Sequence, residues 1–275
     1  MLYVLCRYAE FYLVRRHFCP HGRGDRMFVK TNTTGFSDAL TREAEGLESL
    51  REALVQVGVE HLRIPQVAEV DQHQLVMTQI VSVAPDDRCL TLLGEGLARL
   101  HQQKREHYGW GRDNYIGLSP QPNEYMDSWG RFFVDYRLRY QVSRIADPVI
   151  RERFQRVLDQ SSAALTRWLD SHCEHPSLLH GDLWNGNVLF DYDGPWLIDP
   201  AVYQGDREAD IAMTEMFGGF GAAFYSAYDS VYPRSEVYTT KREIYNLYHY
   251  LNHYNLFGAG YLGGCERGMK VVARV

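Results

Sequence analysis

The sequence predicts an α+β fold of two unequal lobes, a small strand-rich part over residues 1–81 and a larger, mainly helical part over residues 82–275. Three observations lead there. Short apolar runs separated by turn residues fill the first part, arranged around one long helical pattern. Beyond Ser82, apolar residues recur at three- and four-residue steps through several long segments. Between those segments, from Ser177 to Asp199, three short apolar runs wrap around a polar loop.

Composition narrows the class. An apolar content of 45% and a charged content of 23% are those of an ordinary globular chain with ample core. A net charge of -6 leaves no electrostatic footprint for nucleic acid or an anionic membrane. The five cysteines (Cys6, Cys19, Cys89, Cys173, Cys265) are scattered, with no Cys-x-x-Cys, which argues against a zinc site or a disulfide framework and fits a reducing compartment. Met1–Val14 is apolar but is interrupted by Arg7 and Glu10 and lacks a basic start and a small-residue cleavage site. No other run is long enough to span a bilayer, so a cytoplasmic protein is expected.

Taken in order, Met1–Val14 fits neither strand nor helix decisively. Cys19–Asp25 is turn-rich through Pro20, Gly22 and Gly24, and Arg26–Thr31 reads as a strand with Lys30 near its end. Asp38–Val57 is a helix, capped by Ser37 or Asp38 and ended by Gly58, with Leu40, Leu47, Leu50 and Leu54 on one face. On a wheel of 3.6 residues per turn, Glu43 falls inside that apolar stripe. A carboxylate on a buried face requires a cationic partner, and Lys30 on the preceding strand is the candidate. Leu62–Pro65, Gln66–Val70 and Gln74–Val81 supply further strand-like runs, with a hairpin turn at Asp71–His73 and a hinge near Thr78–Ser82. Pro85-Asp86-Asp87 starts a helix with Leu90, Leu93, Leu97 and Leu100 on one side, where His101 reads as a packed core histidine.

Glu106–Asn123 has no helical period and reads as a long loop or a pair of loops, a length that usually signals function. Tyr125–Arg144 follows as a helix with Trp129, Phe132, Phe133, Tyr136 and Tyr140 in one stripe, chiefly core, while Tyr125 and Trp129 at its start are placed to face a cleft. Pro148–His172 is a second amphipathic helix. Helices are expected again at Ile211–Phe217, Phe220–Tyr232 and Lys241–Phe257, the last ended by Gly258. Asp206 and Asp210 read as structural caps that brace the loop before them.

Within that loop the residue types imply chemistry. Asp182 is followed five residues later by Asn187, and Asp199 closes the third apolar run. This order matches the catalytic loop and the metal-binding aspartate of protein kinases. One carboxylate faces the acceptor hydroxyl, and an amide oxygen with a second carboxylate holds hard cations against phosphates. A strand lysine with an inward helix glutamate, here Lys30 and Glu43, is the phosphate-gripping pair of the same fold.

Longer stretches resemble one family more closely. These are Phe28-Val-Lys-Thr-Asn, Glu43 with Gly46-Leu-Glu-Ser-Leu, Leu97-Ala-Arg-Leu-His, Asp113-Asn-Tyr-Ile-Gly with Pro120-Gln-Pro-Asn, and Trp129-Gly-Arg-Phe-Phe. Beyond them come His180-Gly-Asp-Leu-Trp-Asn-Gly-Asn, Asp199-Pro-Ala, Gly205-Asp-Arg-Glu-Ala-Asp-Ile-Ala-Met, Phe217-Gly-Gly-Phe and Leu251-Asn-His-Tyr-Asn-Leu-Phe-Gly. Together they resemble the fructosamine/ketosamine-3-kinases, a branch of the aminoglycoside- and choline-kinase-like group within the protein-kinase-like fold. The resemblance implies a two-lobed kinase fold with ATP in the hinge cleft at Met77, Thr78, Gln79 and Ile80. It implies Mg2+ held by Asn187 and Asp199, phosphates gripped by Lys30 and Glu43, and Asp182 as the base at the acceptor. It further implies phosphorylation of the C3 hydroxyl of a ketosamine, with Asn123, Tyr125, Trp129 and Trp184 on the sugar side, followed by loss of the sugar from the amine.

Two features depart from the family. Gly22 and Gly24 lie so near Lys30 that Cys19–Asp25 is expected to be a hairpin connection rather than a phosphate-covering loop. Tyr125 stands where tryptophan is usual. Two other functions compete on the sequence: a kinase for another small hydroxylated amine, such as an aminoglycoside or choline, and a non-catalytic nucleotide-binding protein.

Overall fold

The structure, a computed structural model, describes residues 27–275; the expectations for Met1–Val14 and Cys19–Asp25 lie outside these residues. Its first unit is an antiparallel sheet of β1 (Met27–Thr31), β2 (Val67–Val70) and β3 (Gln74–Thr78) in the order β1-β3-β2. The hairpin between β2 and β3 forms where Asp71-Gln-His predicts it, because the Asp71 carboxylate accepts the amides of His73 and Gln74 at 2.7 and 2.8 Å.

Helix α1 (Ala39–Gln56) lies between β1 and β2 in the chain and buries Leu40, Leu47, Leu50 and Leu54. Asp38 precedes it but does not cap it. Its carboxylate instead accepts from the Tyr115 hydroxyl at 2.6 Å and from Arg42 Nε at 3.0 Å. The long-range tyrosine wins over the local cap, a competition that sequence spacing cannot reveal.

After β3 the chain runs without regular structure over residues 79–86 into α2 (Asp87–Gln102), whose Asp86 caps the Cys89 amide at 2.7 Å. Val83 N donates to Phe190 O at 2.7 Å, pinning this linker to the larger part of the molecule. Apolar residues of α1 and β3, such as Leu50 and Leu75, share one core with Leu93 and Leu97 of α2 and with Leu178 and Leu197. The chain changes its secondary structure near residue 82, but the core runs on across that point.

The segment read as loops, Glu106–Asn123, contains a small hairpin of β4 (Asn114–Ile116) and β5 (Ser119–Gln121). Strands of three residues are too short for alternation to show in a sequence. The next helix starts at Trp129, not Tyr125, because Ser128 caps it by accepting the Arg131 amide at 3.0 Å. It runs from α3 (Trp129–Phe132) through a π-helical segment (Phe133–Arg139) into α4 (Tyr140–Ser143). Helix α5 (Pro148–His172) occupies the predicted span, with Asp147 as its cap and proline at its first turn.

Two antiparallel strand pairs then carry the polar loop. One joins β6 (Ser177–Leu179) to β9 (Tyr203–Gly205), the other β7 (Val188–Phe190) to β8 (Pro195–Leu197). Helices α6 (Glu208–Met216), α7 (Ala222–Val231), α8 (Tyr238–Phe257) and α9 (Leu262–Val272) complete the fold. A second core forms around Trp129, Phe132, Phe133, Tyr245, Tyr248 and Leu251. Among the described residues no helix is long and apolar enough to cross a membrane.

Helix α8 also buries His249, whose Nδ1 has no partner among the described residues. Burial, helped by His253, holds its pKa down at about 3, so the folded protein keeps it neutral. A base whose folded pKa is depressed stabilises the fold above its unfolded pKa and loses that contribution as pH falls below it. Between an unfolded value near 6.5 and pH 5, His249 should therefore cost about 2 kcal/mol. Urea unfolding of the parent and of His249→Gln at pH 7.5 and pH 5 checks this: the variant should lose correspondingly less. Equal losses in the two proteins would mean that His249 takes up its proton in the folded state.

Candidate active site

Strand β6 delivers His180 and Gly181 to the polar loop, and the turn there admits only glycine. Gly181 has φ +82°, and a Cβ on it would sit 2.0 Å from Ala201 O. Asp210, in the first turn of α6, accepts the amides of His180 at 2.7 Å and of Gly181 at 2.9 Å. Its carboxylate also lies 3.3 Å from His101 Nε2. Burial lowers the pKa of the His101 and His180 rings from the ordinary histidine value. Asp210 is thus the brace that its position suggested, and His101 is a hydrogen-bonded core residue.

The braced turn presents Asp182. Asn187 Nδ2 donates to both the carbonyl of Asp182 at 2.8 Å and its Oδ2 at 3.0 Å, locking residues five apart into one unit. Burial pushes the Asp182 carboxyl up to about 7. That places it near the range in which a carboxylate works as a base at neutral pH. The pair β7–β8 returns the chain to Asp199, where Ile198 N donates to Asn187 O at 3.1 Å. Among the described residues, Asp199 is the only non-glycine at positive φ, +53°.

From the other side, β1 projects Lys30 so that its Nζ lies 2.7 and 2.9 Å from the two Glu43 oxygens and 3.0 Å from Asp199 Oδ1. The helical-wheel argument for Glu43 is met: a carboxylate inside an apolar stripe is tolerated because a strand lysine reaches it. Burial raises the Glu43 pKa and the Lys30 ammonium opposes that. Asp182, Asn187, Asp199, Lys30 and Glu43 therefore form one connected group.

The donor set suits a hard cation. Among the described residues no cluster of three or more histidine, cysteine or acidic side chains could hold a metal by itself. A carboxylate and an amide oxygen are hard donors of the kind that hold magnesium together with substrate phosphates.

The other predicted residues divide. Met77 is buried in the first core, and the Thr78 backbone and hydroxyl bond to Gln66, while Gln79 and Ile80 are half-buried in the linker. Trp184 is half-buried, 5.7 Å from Phe217, which in turn lies 5.5 Å from His253. Tyr125 is 48% exposed, beside His107.

Trp129 must be removed from the sugar side. It is wholly buried, its indole donates to the Tyr245 hydroxyl at 3.0 Å, and Gly205 leaves room for its ring. Starting the helix at Trp129 turns its side chain inward. Asn123 is likewise spent within the protein, donating to Asn114 Oδ1 at 2.9 Å and accepting from Arg137 Nη2 at 2.7 Å. Sequence reasoning missed Asn114 and Arg137; both are buried and polar, and only the motif Asp113-Asn-Tyr-Ile-Gly hinted at the first.

Comparison with known proteins decides the family. The sequence pattern of Fructosamine kinase matches residues 13–274. The chain belongs to the fructosamine kinase family. A probable ketoamine kinase of Vibrio vulnificus is 37% identical over 256 residues, covering 91% of this chain and 85% of that protein. A protein-ribulosamine 3-kinase, chloroplastic, of Arabidopsis thaliana is 35% identical, covering 85% of this chain and 72% of that protein. A solved structure of a candidate fructosamine-3-kinase from Thermobifida fusca superposes with a TM-score of 0.81 at 29% identity, covering 99% of each chain. The aminoglycoside phosphotransferase APH(2'')-Ib, at 14% identity and a TM-score of 0.56, shares the two-lobed kinase-like fold. As a member of the fructosamine kinase family, the protein is an ATP-using phosphotransferase acting on a hydroxyl group.

Proposed function

We propose that the protein phosphorylates the C3 hydroxyl of ketosamines, the adducts that sugars such as glucose and ribose leave on amines. The observation that carries this reading is the convergence of Asp182, Asn187, Asp199, Lys30 and Glu43 in a chain whose relatives are named for ketoamine and ribulosamine phosphorylation. Asp182 accepts the proton of the attacking hydroxyl as its oxygen bonds to the γ-phosphorus and the bond to the β-phosphate oxygen breaks. Lys30, oriented by Glu43, holds the phosphates in line. Asn187 and Asp199 would hold Mg2+, which when bound offsets charge on the phosphate oxygens. We assign the small lobe to residues 1–81 and the larger to 82–275, with the adenine against the linker from Met77 to Ile80.

Trp184, with Phe217 and His253 behind it, offers flat rings to the apolar face of a sugar beside Asp182. Tyr125 is exposed enough to join them from the loop before α3. A phosphate at C3 lies one carbon beyond the C2 carbonyl. Enolisation towards C1 then expels it, and hydrolysis of the product frees the amine, so phosphorylation leads to deglycation.

The test is mass spectrometry of fructosyl-lysine and ribulosyl-lysine incubated with the protein, ATP and magnesium. A phosphorylated adduct followed by free lysine and inorganic phosphate is expected. Absence of both, together with phosphorylation of choline or an aminoglycoside, would assign the protein to a different acceptor.

A further inference from the structure

The β4–β5 hairpin carries the Asn114 and Gln121 side chains, both buried, against the backbone that follows Asp199. Gln121 Nε2 donates to Ala201 O at 3.1 Å and Asn114 Nδ2 donates to Val202 O at 2.8 Å. Each amide is itself fixed. Asn114 Oδ1 accepts from Gln121 at 2.8 Å and from Asn123 at 2.9 Å, and Gln121 Oε1 accepts from the Tyr248 hydroxyl at 2.7 Å. Arg137, fully buried, closes the network by donating to Asn123 Oδ1 at 2.7 Å and Pro122 O at 2.9 Å.

On its other side the segment is held by the catalytic loop, Ala201 N donating to His180 O at 2.8 Å. Asp199 itself has the backbone of a left-handed turn, a conformation that an aspartate keeps only where its surroundings impose it. The same hairpin also meets α1. Tyr115, between the two inward residues Asn114 and Ile116, turns outward as strand alternation requires, and its hydroxyl bonds to Asp38 at 2.6 Å. Helix α1 in turn rests Gly46 on the segment, where an added Cβ would stand 3.2 Å from Pro200 and 3.3 Å from Val202.

We propose that Asn114 and Gln121 are positioning residues for the metal ligand Asp199. By capturing the two carbonyls that follow it, they fix where the Asp199 carboxylate stands, with its Oδ1 3.0 Å from Lys30 Nζ, on the side where it would hold magnesium. This assigns Pro120-Gln-Pro-Asn to the nucleotide side of the reaction through the backbone, and away from the sugar side on which the resemblance placed Asn123. The inference rests on Asp199 as a metal ligand.

The test compares the parent with Gln121→Met, which keeps the volume and removes both hydrogen-bonding ends, and with Tyr248→Phe, which removes one hydroxyl behind the amide. Nucleotide binding is measured by calorimetry with a magnesium series and with chelator, alongside KM for magnesium-ATP and kcat. Gln121→Met should weaken the magnesium-dependent part of nucleotide binding by about 10-fold, the low end for residues that orient a metal ligand. Its affinity without magnesium should stay at the parent value. Tyr248→Phe should shift the magnesium dependence in the same direction by less.

A purely structural role would weaken nucleotide binding equally with and without magnesium, and that result overturns the proposal. If Gln121→Met does not fold, Tyr248→Phe alone decides it, and an unchanged magnesium dependence there counts against it. Asp199→Asn separates the two levels. If it too leaves magnesium dependence unchanged, the metal assignment itself is wrong; if it shifts while the folded variants do not, only the positioning role fails.

Discussion

Asp182→Asn is expected to lower turnover by about 10²–10⁴-fold, the range for loss of a positioned general base. Nucleotide binding should be retained. The substitution preserves the shape of the side chain, and the bond from Asn187 to the Asp182 carbonyl uses only backbone at that end. Lys30, Glu43 and Asp199 make their ion pairs elsewhere, so the phosphate end should be unaffected. Steady-state assays with ribulosyl-lysine, paired with calorimetric titration of ATP, distinguish the two effects. Turnover comparable with the parent would remove Asp182 from its role. A parallel collapse of ATP affinity would show instead that the carboxylate supports the nucleotide.

Asp210→Ala should be the most damaging change away from the reacting groups. Two buried amides, His180 N and Gly181 N, would lose their acceptor, and the His101 ring would lose its neighbour. Each buried group left unpaired costs about 1–3 kcal/mol, so a loss of about 2–6 kcal/mol from the two amides is expected. Turnover should fall with it, because the loop that presents Asp182 is held from this side. Asp210→Asn retains one acceptor oxygen and should lie between the two. Chemical denaturation with activity measured on the folded fraction gives both numbers. If Asp210→Ala unfolds at the parent's denaturant concentration, the brace is not what holds the loop.

The residues proposed to react were legible in the sequence because their spacing is local or is imposed by a regular element. Asp182 and Asn187 lie on one loop and Asp199 closes the adjoining hairpin, so their order along the chain already brings them together. Glu43 was legible for a different reason. Helical periodicity placed a carboxylate inside an apolar stripe, and the cost of burying that charge demanded the Lys30 partner that the structure provides. The long helices and the hairpin at Asp71 followed from period and turn chemistry in the same way.

What the tertiary structure alone decided are the outcomes of competition between local and distant partners. Asp38 gives up its cap for Tyr115, and Ser128 starts α3 late enough to drive Trp129 inward, away from any sugar. Asn123 and Gln121 look like ligand-binding amides in a loop, yet the backbone carbonyls and side chains around them claim every bond they make. Hydrogen-bonding side chains are chosen by whatever polar group the fold buries beside them, and that neighbour stands tens of residues away in sequence. Periodicity carries no information about it, so the chain announced the residues proposed to react while only the packed fold showed which residues hold them in place.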